Sequence, residues 1–564
     1  MSDAAAESRI TLPADSNQAL GLANYALDFI WNKPGAGGCE ADASVLTRTE
    51  MFYADACLCG VSALALGTNA PNLLRAEALS YRAPVAGVGS MGAPGAAKRT
   101  GATVFGSSIE CMPEKAIAAN AAAVREWDSN GTNFGYSEER PHHRAGEFGH
   151  NDFYAVPIAA AQMMGMDGKF ALKGMVLLDE IRGRLAEVFS LKSYKIDHVV
   201  HGAIASAATF GAMLKATPEQ IESAIGMVVA HYIPFRAIRA GKQLSDSKGA
   251  SAAISTEAAI LSVRRSMAGF LGPRDIFRNP EAIFRLFEGP GQLFKKTHSA
   301  GTGIPDTKGE SKSYASPFDL YLSRAGSDFA VMGMHFKLGL YEHQSAGALQ
   351  GLIDLVNKYP RLLEDQSGDC ISKIVVKAYE PAFGIIGDPA KRDPRTRQSA
   401  DHSMLYLVCT MLRKMLEIRA AKPSATKLDW TDVMLLPHDF GPGAIDDPLT
   451  RALMEKMSFE WGGADYDRRY PDGIPTSMVI TDEQGQMCDS GLVMYPGGHA
   501  RNTTADLKAI LAHKLECLAN LSLPMADKKA ASALINRFTG AGKKSAAEIA
   551  QIHAFDLTVK GKFD

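Results

Sequence analysis

The stretch Trp127–Phe153, WDSNGTNFGYSEERPHHRAGEFGHNDF, crowds Asp128, Thr132, His142, His143, His150 and Asp152 into one polar island between Ala-rich, helix-like sequence. Histidines and aspartates together supply proton donors and acceptors near neutral pH. An apolar helix that delivers an aspartate and then breaks into Gly, Asn and His has the character of a pocket wall, although a solvated loop between helices has the same composition. Five more polar islands follow: Asp197-His198 with His201, Arg236 to Lys248 (RAIRAGKQLSDSK), His335 to His343 (HFKLGLYEH), Asp401-His402-Ser403, and Gly497 to Arg501 (GGHAR). Arginine and lysine clusters bind carboxylates through charge-assisted, often bidentate hydrogen bonds. Taken singly, each island has a structural explanation: a satisfied histidine, a solvated basic loop, a turn after a strand. Taken together they describe proton chemistry on a polycarboxylate. The sequence has no HExxH, no cysteine cluster and no paired histidines with a third ligand, so neither a metal nor a cofactor is expected.

The elements that must position these residues are mostly helical. From about Gln18 to Leu66 the pattern is helical and ends at a glycine cap, Gly67. Between about Pro84 and Ser108 the Gly-rich run containing GVGSMG lacks a strand–turn–helix frame and reads as loop. Ala116 to Arg125 is an Ala-rich helix leading into the first island, and two further helices follow it. Thr217-Pro218-Glu219-Gln220 supplies an N-cap, a proline at the first helical position and a capping glutamine. Behind it Ile221, Ala224, Ile225, Val228 and Val229 form a stripe at helical spacing. The first three hundred or so residues read as one all-helical domain. A polar stretch from about Phe287 to Asp328 reads as a linker or surface excursion. Beyond it CISKIVVKAY has strand character, and SMVITDEQGQMCDSGLVMYPGG reads as two strands around a turn at Glu483–Gly485. The expectation is a mainly α protein with a helical domain over 1–325, an α+β domain over 326–503, and a C-terminal helix within 504–564 that returns to the first domain.

Composition narrows the function classes. At 564 residues the chain is long enough for two or more domains. A formal net charge of -2 gives no electrostatic support for nucleic-acid binding. No apolar run reaches the roughly 18 residues of a membrane span. The N-terminal stretch has neither an apolar nor an Arg-rich targeting pattern, and the eight cysteines are scattered without a CxxC pair. A cytoplasmic location with buried free thiols is expected.

The islands, in this order and spacing, resemble the MmgE/PrpD family of 2-methylcitrate dehydratases and cis-aconitate decarboxylases. The resemblance runs from about Ala19 to Leu521 and rests on Asp128 and Thr132 followed by His150 and Asp152, then DHVV, TPEQIESAIG, RAIRAGKQLSDSKGASAA, YEHQSA, ADHSMLY and YPGGHAR. Asp197-His198-Val199-Val200 and Tyr495-Pro496-x-Gly-His-Ala-Arg are closest to the 2-methylcitrate dehydratase branch. The resemblance implies a large helical domain with a smaller α+β lid, a homodimer, a small tricarboxylate substrate, and loss of water from 2-methylcitrate (or citrate) without an iron–sulfur cluster. It implies a catalytic group of Asp128, His150, His198 and His402, oriented by Thr132 and Asp152. Arg236, Arg239, Lys242 and Lys248 are expected on the substrate carboxylates, with His343, Tyr406 and Arg501 closing over the substrate. Decarboxylation of cis-aconitate or epimerisation of a related dicarboxylate on the same fold, and a non-catalytic helical binding protein, are the alternatives. The sequence departs from the family pattern in an insertion over 133–148, in Asn151-Asp152, and in the lysine expected near His335 or Lys337.

Overall fold

The computed structural model describes residues 8–84, 99–140, 142–239, 243–286, 315–424 and 427–563. It is mainly α. Helices α1 (Ala43–Ala65), α2 (Pro113–Arg125), α3 (Gly168–Val188), α4 (Val199–Met213), α5 (Pro218–His231) and α6 (Asp246–Met267) build the helical body. The local signals act as expected. Pro113 occupies the first turn of α2, where its missing N–H costs nothing. Thr217 and Gln220 form a reciprocal capping box at the start of α5. Small side chains set the spacing: Ala118, Ala121 and Ala122 of α2 meet Ala253 of α6. On α4, a Cβ added to Gly202 would stand 2.0 Å from the Phe153 ring, so only glycine lets that ring lie against the helix.

The sheet lies later in the chain. Strand β3 (Ile371–Ala378) pairs in parallel with β4 (Met457–Trp461) and antiparallel with β5 (Thr476–Asp482), which pairs with β6 (Met487–Asp489). Burial alternates along β5, with Thr476, Met478, Ile480 and Asp482 inward, as expected for a sheet covered on one face. The turn between β5 and β6 contains Gly485 at a φ of +81°, inside the predicted Glu483–Gly485 turn. Helices α7 (Ala346–Lys358) and α8 (Met404–Ala421) accompany this sheet.

Some elements differ from the sequence reading. Residues Leu320–Ser323, within the predicted polar linker, form a strand antiparallel to Arg9–Leu12. The rest of that linker, 287–314, and most of the Gly-rich run, 85–98, lie outside the described residues. The C-terminal segment carries α9 (Leu507–Ser522), α10 (Lys528–Phe538) and the short α11 (Ala546–Ala550) rather than one helix. Among the described residues no single helix is long and apolar enough to cross a membrane. The eight cysteines are free thiols.

Candidate active site

Helix α2 ends at Arg125, and the chain then turns at Asp128, whose φ is +50°. A non-glycine residue in the left-handed region stores roughly 1–2 kcal/mol of strain, held here by what the side chain binds. Asp128 is fully buried. Arg125 Nη1 lies 2.6 Å from Asp128 Oδ1, Lys337 Nζ donates to the same oxygen, and Lys248 Nζ and His402 Nε2 lie 3.5 and 3.3 Å from Oδ2. Burial alone would raise the Asp128 carboxyl, but Arg125, Lys337, Lys248 and His402 outweigh it and hold it well below the usual carboxylate range. It is an ionised anchor.

The next ring is built from both halves of the chain. Lys248, in the first turn of α6, donates to both Asp401 oxygens at 2.9 and 3.0 Å. Asp401 Oδ1 lies 2.6 Å from His402 Nδ1, and the pair stands just ahead of α8, whose first turn is capped by Ser403. Burial and then the Lys248 ammonium push the His402 imidazole down to about 3, against the pull of the two aspartates. The oxygens of Asp128 and Asp401 with His402 also have the spacing of a metal-ligand group. Lys248, Lys337 and Arg125 already neutralise those carboxylates, so an incoming cation would have to displace ammonium and guanidinium groups.

Two histidines complete the wall. Strand β1 (Thr132–Asn133) pairs with β2 (Gly149–His150), placing Thr132 opposite His150. Thr132 Oγ1 donates to the Gly149 carbonyl at 2.7 Å, and the Thr132 backbone exchanges hydrogen bonds with His335. His150 Nε2 lies 3.3 Å from Arg125 Nη2, and its ring centroid is 5.2 Å from that of His198 at the start of α4. Burial first, then neighbouring arginines, drive both imidazoles well below their ordinary value, so both are neutral. Among the described residues no hydrogen bond reaches the buried His150 Nδ1 or either ring nitrogen of His198, whose Nδ1 lies 3.4 Å from Asp197 Oδ1. Asp197 is engaged by Arg239, whose Nη2 is 3.2 Å from Oδ1.

These groups face one narrow cleft. Its lining includes Arg125, Thr132, His150, His198, Arg236, Arg239, Glu342, Gln344, Lys391 and His402. Of the residues predicted from sequence, Thr132, His150, His198, Arg236, Arg239 and His402 line it, while Asp128 and Lys248 stand directly behind. Asp152 sits further back, accepting from Asn130 Nδ2 at 2.5 Å, with an oxygen 3.7 Å from Arg125 Nε. Lys242 lies outside the described residues.

Three predicted residues are elsewhere. His343 points to His335, with Nε2 3.2 Å from its Nδ1, and does not line the cleft. Tyr406 is buried and donates its hydroxyl to the Asp439 carbonyl at 2.6 Å. Arg501 lines a second, larger cleft, where it pairs with Asp472 and with Glu138. That cleft shares Phe134 with the first and is bordered by the insertion. The insertion is tied down: His143 Nδ1 lies 2.7 Å from Glu187, Arg140 pairs with Asp328, and the Gly146 carbonyl accepts from the Tyr470 hydroxyl at 2.8 Å. Conversely, Arg125, Lys337, Glu342 and Lys391 belong to the constellation although sequence reasoning did not select them. For Arg125 the available signal was its position three residues before Asp128 on a helix end. For Lys337 it was the lysine expected in HFKLGLYEH.

Comparison with known proteins bears out the resemblance. Residues 76–294 match the MmgE/PrpD N-terminal domain. The matched segment contains Asp128, Thr132, His150, Asp152, His198, Arg236, Arg239, Lys242 and Lys248. The chain is similar to the 2-methylcitrate dehydratase of Salmonella typhi, 23% identical over 432 residues that cover 75% of this chain and 79% of that protein. It is also similar to those of Escherichia coli (strain K12), 22% identical over 430 residues, and Cupriavidus necator, 23% identical over 435, with the same coverage.

Proposed function

We propose that this protein is a lyase of the MmgE/PrpD type that removes water from a small polycarboxylate, 2-methylcitrate or citrate, by acid–base chemistry of its own side chains. The observation that carries this reading is the meeting of His150, His198 and His402 with Arg236, Arg239 and Lys391 on one cleft. The names of the similar proteins support the substrate.

Dehydration next to a carboxylate needs a base for a weakly acidic C–H, cations for the charge that develops, and a proton for the departing hydroxide. The neutral imidazoles of His150 and His198 have ring nitrogens that no hydrogen bond among the described residues reaches, and the negative charge of a bound polycarboxylate raises their basicity, which suits them to the base. Arg236 and Lys391 carry no ion pair among the described residues, so both are available to substrate carboxylates. Arg239 sits beside them, oriented by Asp197. Asp128 is too strongly held in its ionised form to be a good base; its part is to fix Arg125 at the cleft wall and Lys248 and Lys337 behind it. Thr132 and Asp152 position the His150 strand and Arg125.

The test is to incubate purified protein with 2-methylcitrate, citrate and cis-aconitate, following the unsaturated product by ultraviolet absorbance and any carbon dioxide released. Dehydration of 2-methylcitrate, lost by at least about a hundredfold in kcat in His150→Gln or His198→Gln, is the expected result. Carbon dioxide from cis-aconitate would replace dehydration with decarboxylation. No turnover of any of the three would leave a binding protein.

A further inference from the structure

The proposed reaction leaves one requirement unmet by the residues assigned so far. His150 and His198 are neutral and can accept protons, yet neither holds one to give as a cation near neutral pH. Asp128 is held ionised by Arg125 and the lysines beside it, and Asp401 by Lys248. Lys337 is committed to the carboxylate and backbone carbonyl of Asp128. The departing hydroxide still needs a proton.

Glu342 is the carboxyl that lines this cleft without an ion pair among the described residues. The residue is 9% exposed. Oε2 accepts from the Gln344 backbone N–H at 2.7 Å, and no hydrogen bond among the described residues reaches Oε1. Glu342 N–H is anchored on the Asp401 carbonyl at 2.9 Å, which ties the position of this carboxyl to the Lys248–Asp401–His402 ring. The charged and titratable groups around it are Asp128, Lys337 and Lys391, with the buried phenols Tyr379 and Tyr470 beyond.

We propose that Glu342 carries the exchangeable proton of the cleft and is the acid that converts the departing hydroxide to water. The assignment rests on the dehydratase reading of the same site. In the step, the C–H proton passes to an imidazole of the His150–His198 pair and its electron pair forms the new C=C bond. The C–O bond breaks with its electrons on oxygen, and the Glu342 carboxyl gives that oxygen its proton. The imidazolium then loses its proton and the Glu342 carboxylate regains one through solvent, so the site resets without another reactant. Burial, reinforced by the Asp128 carboxylate and only partly offset by Lys337 and Lys391, pushes the Glu342 carboxyl up to about 7, so both protonation states are accessible during turnover. Anionic substrate entering the cleft adds negative charge beside it and draws the proton on.

Two measurements on the full chain test this. Calorimetric titration with citrate at pH near 7.5, in two buffers of different ionisation enthalpy, reads proton uptake on binding without requiring turnover. Wild type is expected to take up part of a proton and Glu342→Gln, which keeps the shape and the acceptor oxygen, to take up none. In kcat against pH with 2-methylcitrate, Glu342→Gln is expected to fall about a hundredfold and lose the alkaline limb near pH 7, with Glu342→Asp restoring part of both. Uptake unchanged in Glu342→Gln, or kcat within about threefold of wild type with the same profile, overturns the proposal. If uptake and the alkaline limb vanish instead in Lys391→Met, the proton belongs to Lys391 and the proposal also falls. Wild type that shows Glu342-dependent uptake but no turnover refutes the dehydratase reading while keeping Glu342 as the proton-carrying group. Wild type that binds neither citrate nor 2-methylcitrate overturns both.

Discussion

Lys514 Nζ stands 2.7 Å from a carboxylate oxygen of Asp55, and both side chains are 1% exposed. The same ammonium donates to the carbonyls of Ser129, at 2.6 Å, and Lys337, at 2.8 Å. Helix α9, more than three hundred residues downstream of Asp128, therefore fixes from behind the two backbone segments that carry Asp128 and Lys337. Replacing Lys514 with Met leaves the Asp55 carboxylate buried and uncompensated, a loss of about 3–5 kcal/mol. Urea denaturation should show that loss, and adding Asp55→Leu should recover a large part of it. If Lys514→Met is as stable as wild type, this clamp contributes nothing.

The pairing of Lys248 with Asp401 makes a separate prediction, because it joins α6 to the segment ahead of α8. Either single variant, Lys248→Met or Asp401→Asn, is expected to lose about 3–5 kcal/mol and nearly all turnover. The double variant should lose clearly less than the sum, since no unpaired buried charge remains. Strict additivity in denaturation would mean that the two side chains act independently.

Helix identities were legible because their signals are local. The Thr217 cap and the alanine-rich run of α2 each act within a turn or two of themselves, and β5 shows its period of two in seven residues. The strand pairing of Arg9–Leu12 with Leu320–Ser323 was not legible, because each strand is short and its partner lies some three hundred residues away. At the site, residue type and order located Asp128, His150, His198, Lys248 and His402. They could not tell which way a side chain faces. Tyr406 sits in the first turn of α8, two residues beyond Met404, yet its hydroxyl turns to the Asp439 carbonyl. Arg125 looked like an ordinary charged helix end, but its guanidinium is buried between Asp128 and Asp152.

His201 shows how an island residue can be structural, and it yields a pH prediction. Its Nε2 lies 2.9 Å from the Phe189 carbonyl, and burial, partly offset by that hydrogen bond, pushes the imidazole down to about 4. Between about 6.5, the ordinary value for an unfolded histidine, and 4, the unfolded chain binds a proton that the folded chain does not. Its contribution to stability is therefore complete above the upper limit and is lost as pH falls, at up to about 1.4 kcal/mol per pH unit. His201→Gln should flatten the fall of unfolding free energy between pH 6 and 4 by up to that amount relative to wild type. An unchanged slope in chemical denaturation across this range would show that His201 is not held neutral.

Phe134 separates the two clefts, and its removal should join them. The ring is 3% exposed and packs edge-on against Phe148, His335 and Tyr470, with centroids 5.1, 5.4 and 5.8 Å away, and lies tilted over His343. It lines both clefts. Truncating a buried phenylalanine typically costs about 3–5 kcal/mol. The change should also be felt in function. With the partition gone, the smaller cleft admits water toward His150 and no longer confines a small polycarboxylate, so KM should rise about tenfold, corresponding to about 1.4 kcal/mol of lost binding. Phe134→Leu keeps most of the volume and should lose less than about 1.5 kcal/mol with a KM near that of wild type. Steady-state kinetics and urea denaturation on the two variants separate the cases: a Phe134→Ala protein with unchanged KM would mean that the partition has no part in holding the substrate.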